Sequence, residues 1–154
     1  MKSKSAIIHE LLPDIQAQTT WTVLFHQAIA EKMGLKGTDH KCLDLIVKFG
    51  PVTISRLAAL TGLSNGAITG VVDRLEKKGL ARRTRSSEDR RIVTVNAVEK
   101  KMAEFSGFFK PVEQATIDLL SSFPAEDLLV LQRFIKKFIE LAQSNIGQLQ
   151  QKPE

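Results

Sequence analysis

The sequence predicts a mainly α-helical protein that carries one small β-hairpin, and three observations lead to this fold class. Long stretches at both ends of the chain repeat apolar residues every three or four positions, the period of a helix with one apolar face. Two short segments with the same period flank the four residues "TGLS", 61–64. An arginine-rich run, 83–91, leads directly into the β-branched run "IVTV", 92–95, as in two strands joined by a basic turn.

The first two elements are predicted as helices over 5–33 and 39–49. Pro13 should bend or fray the first one, because proline removes a backbone hydrogen bond. Gly34 and Gly37 are expected to end it, and Gly50-Pro51 to end the second. The cap of the second helix is expected from Thr38 or Asp39.

The next two helices are short and follow each other closely. Thr53 is expected to cap the first, which stops at Gly62, and Ser64 to cap the second, which ends at Gly79. This layout is typical of a helix-turn-helix. The outer face of the second helix carries small or polar residues near its N-terminus, which would let it approach a groove: Asn65, Gly66, Thr69 and Gly70.

The hairpin and two long helices complete the chain. Residues 80–84 and 91–96 alternate apolar and polar side chains and predict two strands, with 85–90 as the turn. Helices are predicted over 98–122 and 125–147, with polar, frayed residues from Gln143 onward. These helices and the first one carry more apolar side chains than they can bury alone, so we expect them to pack partly against a second copy of the chain.

The positive charge is concentrated in one region. The chain has 22 Lys and Arg against 17 Asp and Glu, a formal net charge of +5. Residues 74–91 contain eight basic and three acidic side chains, and the rest of the chain carries fourteen of each. Such a local field attracts polyanions, with nucleic acid first among them. The alternative is a charged face that serves only solubility.

Other function classes find little support. A single cysteine, Cys42, excludes an internal disulfide. No stretch approaches the roughly 18 apolar residues of a membrane span, and polar residues interrupt the N-terminal apolar run that a signal peptide would need. We therefore expect a cytoplasmic protein with no membrane partner. The absence of nucleophile-elbow, phosphate-loop and HExxH motifs predicts no enzyme and no cofactor.

The order of these elements predicts a winged helix-turn-helix set in a helical dimerisation frame. The DNA-binding domain would span 38–97, and the dimerisation region 1–37 with 98–154. The stretches "LAALTGLSNGAITGVVDRLEKKGL" and "RRTRSSEDRR", followed by the β run, resemble the DNA-binding core of the MarR (multiple antibiotic resistance regulator) family. After the second wing strand the family usually has Leu-Thr where this chain has Ala97-Val98, so Asn96 is expected to cap the next helix instead.

The resemblance implies a transcriptional regulator, most often a homodimeric repressor that binds double-stranded DNA. A small aromatic or anionic effector would lower its affinity for DNA. The helix that starts after Ser64 would enter the major groove, where asparagine can pair with adenine and threonine can contact a thymine methyl group. Its backbone amides could bind a phosphate. Candidate DNA contacts on this helix are Ser64, Asn65, Ala67, Thr69, Gly70 and Arg74. Arg74 would contact phosphate or order the wing through Asp73 or Asp89.

The basic turn would form the wing that follows the recognition helix. Arg90, near its tip, would reach into a minor groove, since narrow A·T tracts attract guanidinium groups. Arg82, Arg83 and Arg85 would line the approach to phosphates, and Asp89 would hold Arg91 or a neighbouring arginine in place. A dimer would present two recognition helices roughly 34–36 Å apart and bind an inverted repeat.

Two alternatives to a sequence-specific, effector-controlled regulator remain open. The winged helix could bind DNA without specificity or contact other proteins. Cys42 could instead sense redox state, although a buried inert thiol is the commoner case. An effector pocket is hypothesised at Trp21, His26, His40 and Phe109. His9, His26, His40 and Cys42 show no convincing ligand spacing, so no metal site is expected.

Overall fold

The computed structural model describes residues 2–85 and 92–150. Along these residues the chain forms α1 (Lys4–Lys32), α2 (Gly37–Phe49), β1 (Val52–Thr53), α3 (Ile54–Thr61), α4 (Asn65–Lys77), β2 (Ala81–Arg85), β3 (Val93–Ala97), α5 (Glu99–Ser121) and α6 (Ala125–Gln150). The predicted fold class, mainly helical with a small β wing, is confirmed.

Helix α1 begins and ends with recognisable caps. The Ser3 hydroxyl accepts a hydrogen bond from the Ala6 N–H at 3.2 Å, and Pro13 lies inside the helix. At the other end Gly34 has a φ of +63°, and the N–H of Leu35 donates to the Ala30 carbonyl at 2.8 Å. The left-handed glycine lets the chain turn back and satisfy the last carbonyls of the helix.

The prediction that Thr38 or Asp39 caps α2 is wrong. Its N-cap residue is Lys36, which makes no side-chain capping bond, and Gly37 is already helical. Asp39 is buried and hydrogen-bonds to Arg74 of α4 instead of capping its own helix. The Asp39 carboxylate, which local rules assign to the helix terminus, therefore forms an ion pair with a residue that is distant in the sequence.

Helices α3 and α4 form the predicted helix-turn-helix, with both predicted caps confirmed. Thr53 accepts from the Arg56 N–H and Ser64 from the Ala67 N–H, each at 3.2 Å. Gly62 ends α3 in the left-handed region, with φ 72°. Four apolar side chains of the two helices have no exposed surface and fix the helices in this core: Leu57 of α3 and Ile68, Val72 and Leu75 of α4.

The wing belongs to a three-stranded antiparallel sheet of order β1-β3-β2. Strand β1 is only two residues long and was not predicted; its Val52 pairs with Val95 of β3. The two predicted strands form one or two residues later than expected, with Arg83 opposite Val95. Asn96 does not cap α5 as expected, because its amide donates to the Thr84 hydroxyl at 2.7 Å across the hairpin.

The chain divides into two compact units, residues 1–103 and 104–154. The first unit contains the buried core. The second contains most of α5 and all of α6, and no residue described in either helix is buried. Helix α6 continues to Gln150, beyond the predicted end at 147. Among the described residues, no helix is both long and apolar enough to span a membrane.

Candidate nucleic-acid interface

One face of α4 is free for recognition because the opposite face is completely buried. Ile68, Val72 and Leu75 point into the core, each with no exposed surface. With 3.6 residues per turn, this places the residues near the helix start on the outside. The exposed set comprises Ser64, Asn65, Gly66, Ala67 and Thr69, and Gly70 is half-buried. The structure thus gathers the predicted base-reading residues on one exposed surface, which we call the recognition face.

The first turn of α4 keeps two backbone donors available. The Ser64 hydroxyl already holds the Ala67 N–H, and the Ser64 carbonyl accepts from the Ile68 N–H at 3.0 Å. The N–H groups of Asn65 and Gly66 have no hydrogen-bond partner in the part of the chain that the structure describes. Helix N-termini with such free donors attract phosphate. Of the backbone amides predicted to bind phosphate, those of Asn65 and Gly66 are therefore available to do so.

Thr69 and Gly70 have different reasons to lie on the recognition face. The Thr69 hydroxyl donates to the Asn65 carbonyl at 2.8 Å, which leaves its methyl group for an apolar contact. A Cβ added to Gly70 would come no closer than 3.5 Å to a side chain, the Arg74 guanidinium. Because this is an ordinary van der Waals distance, the fold itself does not require a glycine at position 70.

Arg83 of β2 joins the wing to α4. Its backbone N–H donates to Glu76 Oε1 at 2.7 Å, and its guanidinium bonds to the other oxygen of Glu76. The same guanidinium nitrogen lies 2.8 Å from Asp73 Oδ1. Asp73 therefore occupies the position that its predicted wing-structuring role requires. The guanidinium of Arg83 is committed to these two carboxylates, which form what we call the wing clamp.

Arg74 is held by α2 rather than by the wing. Its Nε and Nη2 atoms donate to the two carboxylate oxygens of Asp39 at 2.8 and 2.6 Å. The Asp39 side chain is only 3% exposed. Such a bidentate pair fixes direction as well as distance, and the hydrogen bond to Asp39 raises the pKa of Arg74. The expected partner among the described residues was Asp73, which binds Arg83 instead; we call the observed pair the helix clamp.

The remaining predicted cations lie on the wing. Arg82 and Arg85 are exposed on β2 and form no ion pair with any described residue. Arg90, Arg91 and Asp89 lie outside the described residues. Their predicted contacts with a minor groove and with one another stay predictions.

Sequence reasoning missed Asp39 and Glu76, the carboxylates that hold Arg74 and Arg83. Glu76 follows Asp73 by three positions on α4, a spacing that puts both acids on one helix face and could have indicated a shared basic partner. No local signal marks Asp39, because its partner is 35 residues away.

The structure brings together two of the hypothesised effector residues. The rings of His26 and His40 lie 5.6 Å apart between α1 and α2. Both line a cavity of about 440 Å³ together with Val23, Glu31 and Lys36. Trp21 is 71% exposed and is not among the residues lining this cavity. Phe109 belongs to the second unit of the chain, residues 104–154.

Cys42 is poorly placed for redox sensing. Its side chain has no exposed surface, and burial raises the pKa of the thiol, with a further contribution from Asp39. The thiolate is the form that oxidants attack. Burial and a protonated thiol both oppose that reaction.

Comparison with known proteins agrees with this geometry. The MarR family model matches residues 35–93, which include α3, α4 and β2. An uncharacterised HTH-type transcriptional regulator of Bacillus subtilis, YcgE, is 36% identical over 132 residues, 86% of each chain. The HTH-type transcriptional regulator MhqR of the same organism is 33% identical over 62% of this chain and 66% of its own.

Solved structures share the fold. The structure of a MarR family protein from Bacillus stearothermophilus matches with a TM-score of 0.66 and 22% identity, covering 92% of this chain and 98% of the other. The sequence relatives, the family model and the exposed recognition face lead to one conclusion. The chain belongs to the MarR family and is a DNA-binding transcriptional regulator.

Proposed function

We propose that the protein is a homodimeric repressor that binds an inverted-repeat operator and is released by a small-molecule effector. One observation carries the proposal: the N-terminal half of α4 is exposed, while α4 is fixed by a buried apolar face and by the wing and helix clamps. A recognition element has to be accessible and rigid at the same time, because base contacts depend on sub-ångström placement.

Sequence is read by α4 in the major groove. Asn65 donates to and accepts from a base edge, and the Thr69 methyl group contacts a thymine. Phosphates are bound by the free amides of Asn65 and Gly66 and by the exposed cations Arg82 and Arg85. Arg90, as the sequence predicts, is proposed to reach into the minor groove. Arg74 and Arg83 act as positioning residues, because their guanidinium groups are already engaged by carboxylates.

The proposed homodimer is supported by the apolar surface of the helices outside the DNA-binding core. Large apolar side chains are about half exposed on α1 and, within the second unit, on α5 and α6, and exposed apolar surface of this kind marks an interaction site. Examples are Leu11, Leu12, Ile117, Leu131, Phe134, Ile135 and Ile139. A twofold dimer buries the same patch on both copies, and its two recognition helices then require an inverted repeat.

The proposed effector is a small anion. The cavity between α1 and α2, of about 440 Å³, lies within the size range of small-molecule sites. Lys36 and Lys41 contribute cationic groups to its lining. These lysines favour a ligand with a carboxylate or a phenolate.

The test uses variants that separate base contacts from phosphate contacts. Binding of the purified protein is measured to the DNA upstream of its own gene and to a scrambled duplex, across a salt series. Asn65→Ala should reduce discrimination between the duplexes by about 1–3 kcal/mol, the usual value of a base contact. Arg85→Ala should weaken binding to both duplexes equally and lower the salt dependence by about one ion.

Each outcome has a defined meaning. Loss of discrimination with Asn65→Ala but not with Arg85→Ala supports the proposal. Equal affinity of the wild type for both duplexes, unchanged by Asn65→Ala, contradicts it and indicates a non-specific DNA-binding or protein-contact module.

A further inference from the structure

Three side chains converge where α1 packs on α2, and two of them, His26 and His40, line the cavity described above. His40 and Asp44 lie one turn apart on α2, and His26 reaches them from α1. The Nδ1 atom of His40 is 3.4 Å from Asp44 Oδ2, and the Nδ1 atom of His26 is 3.9 Å from the same oxygen. One ligand atom from each of the three side chains lies within 4.8 Å of the other two.

Contacts within the described part of the chain leave one nitrogen of this cluster unsatisfied. A neutral imidazole keeps a lone pair on one of its two nitrogens, and that atom can bind a metal. The Nδ1 atom of His26 is buried and has no hydrogen-bond partner among the described residues. Because a buried polar atom without a partner is costly, this nitrogen lacks the contact that a ligand could supply.

Two of the three separations are close to those of a tetrahedral metal centre. Metal–ligand bonds of about 2.0–2.1 Å place neighbouring ligand atoms about 3.3 Å apart around Zn²⁺. The 3.4 and 3.9 Å separations from Asp44 are close to this value, whereas the two histidine ligand atoms, which lie within 4.8 Å of each other, have to approach further when a metal binds. Two imidazoles and a carboxylate suit Zn²⁺, Co²⁺ or Ni²⁺, whereas Mg²⁺ and Ca²⁺ prefer oxygen ligands alone.

We propose that His26, His40 and Asp44 form a binding site for a divalent transition metal, with Zn²⁺ as the best fit. The protein supplies three ligands, and water or an anion from the adjoining cavity takes the remaining position. The site joins α1 to α2 and does not depend on the proposed operator or effector.

The ammonium group of Lys41 competes with a metal ion for the Asp44 carboxylate. Its ammonium group lies 3.5 Å from Asp44 Oδ2, but its side chain is more than half exposed and can turn away. A bound metal has to displace this ammonium and then remains near its charge. Lys41→Met should therefore tighten Zn²⁺ binding by roughly two- to fivefold, the value of an exposed ion pair.

The test measures Zn²⁺ affinity by titration calorimetry on the full chain. His26→Gln and Asp44→Asn should each weaken binding by roughly 100-fold or more, because even residues behind the ligands contribute about 10–100-fold. The matched control is His9→Gln, which removes an exposed histidine elsewhere on α1 and should leave the affinity unchanged. Cys42→Ser should also retain binding, which separates this site from the thiol. Mg²⁺ should not bind.

A second readout avoids the risk that a variant fails to fold. In the wild type, the side-chain ¹⁵N resonances of His26 and His40 should shift on addition of Zn²⁺ at Nδ1, while those of His9 stay in place. The proposal is overturned if Zn²⁺ does not shift His26 and His40, or if its affinity is the same in His26→Gln, Asp44→Asn and the His9→Gln control.

Discussion

Two regions of the molecule bury their apolar residues very differently. In the recognition core, residues 37–97, side chains such as Leu57, Val72 and Val95 have no exposed surface. In the C-terminal helices, residues 104–150, Leu129 is 67% exposed and Phe134 47%. The recognition core therefore buries its apolar residues within one chain, whereas the C-terminal helices leave theirs exposed. The proposed dimer accounts for this contrast, with DNA recognition and assembly carried by separate parts of the chain.

The largest effect is expected from breaking the surface of the C-terminal helices. Phe134 and Phe138 stack one turn apart on α6, with ring centroids 5.7 Å apart. Replacing both by Asp removes two large apolar contacts of about 1.5–3 kcal/mol each from the proposed dimer. Self-association should weaken by two or more orders of magnitude in sedimentation experiments. The control Lys137→Ala lies on the same helix and should leave the dimer intact. Unchanged self-association of the double variant would show that this surface does not join two copies.

A smaller effect is expected from breaking the helix clamp inside the recognition core. Asp39→Asn removes the charge that holds Arg74 while keeping the size of the side chain. The unfolding free energy should fall by about 1–3 kcal/mol, as for other buried hydrogen-bonded groups that lose their partner. Operator affinity should fall as well, because α4 loses its connection to α2. Asp14→Asn, the same exchange at an exposed position of α1, serves as the control for stability and should change it less. Equal losses for both variants would argue against a special role of the clamp.

The smallest and most diagnostic effect concerns Gly70. Since a Cβ fits at this position without a clash, Gly70→Ala should stabilise the fold by up to about 1 kcal/mol through helix propensity. The added methyl group lies on the recognition face and should weaken operator binding about tenfold, or about 1.4 kcal/mol. Urea unfolding and DNA titration measure the two effects separately. If stability and affinity rise together, position 70 does not face DNA.

Local signals made the recognition core predictable. The caps at Thr53 and Ser64 and the turn at Gly62 depend on residues within three or four positions, and the structure confirms each. The alternation of apolar and polar residues predicted both wing strands and placed their ends within two residues of the observed ones. These features are fixed by the backbone chemistry of single residues, so the sequence displays them directly.

Features that depend on distant residues were missed. Strand β1 has two residues and no pattern of its own, and forms because β3 offers a free edge. The helix clamp joins residues 35 positions apart. The histidine–aspartate cluster was missed for the same reason: His26 and His40 lie on different helices, and only packing brings them together. The expected absence of a metal site rested on sequence spacing alone, and the Zn²⁺ titration tests it against the proposed site.

The proposal that the recognition core binds DNA and the C-terminal helices join two copies is tested most directly by comparing a half-site with a full site. The DNA upstream of the gene is trimmed to the segment that the protein protects, and affinity is measured for this segment and for one half of it at a single salt concentration. The wild type should bind the full segment far more tightly than the half. The double variant Phe134→Asp, Phe138→Asp should bind the full segment and the half with equal affinity, and this affinity should match that of the wild type for the half. Tight binding of the full segment by the variant would contradict the account, because the recognition cores would then be paired without the C-terminal helices.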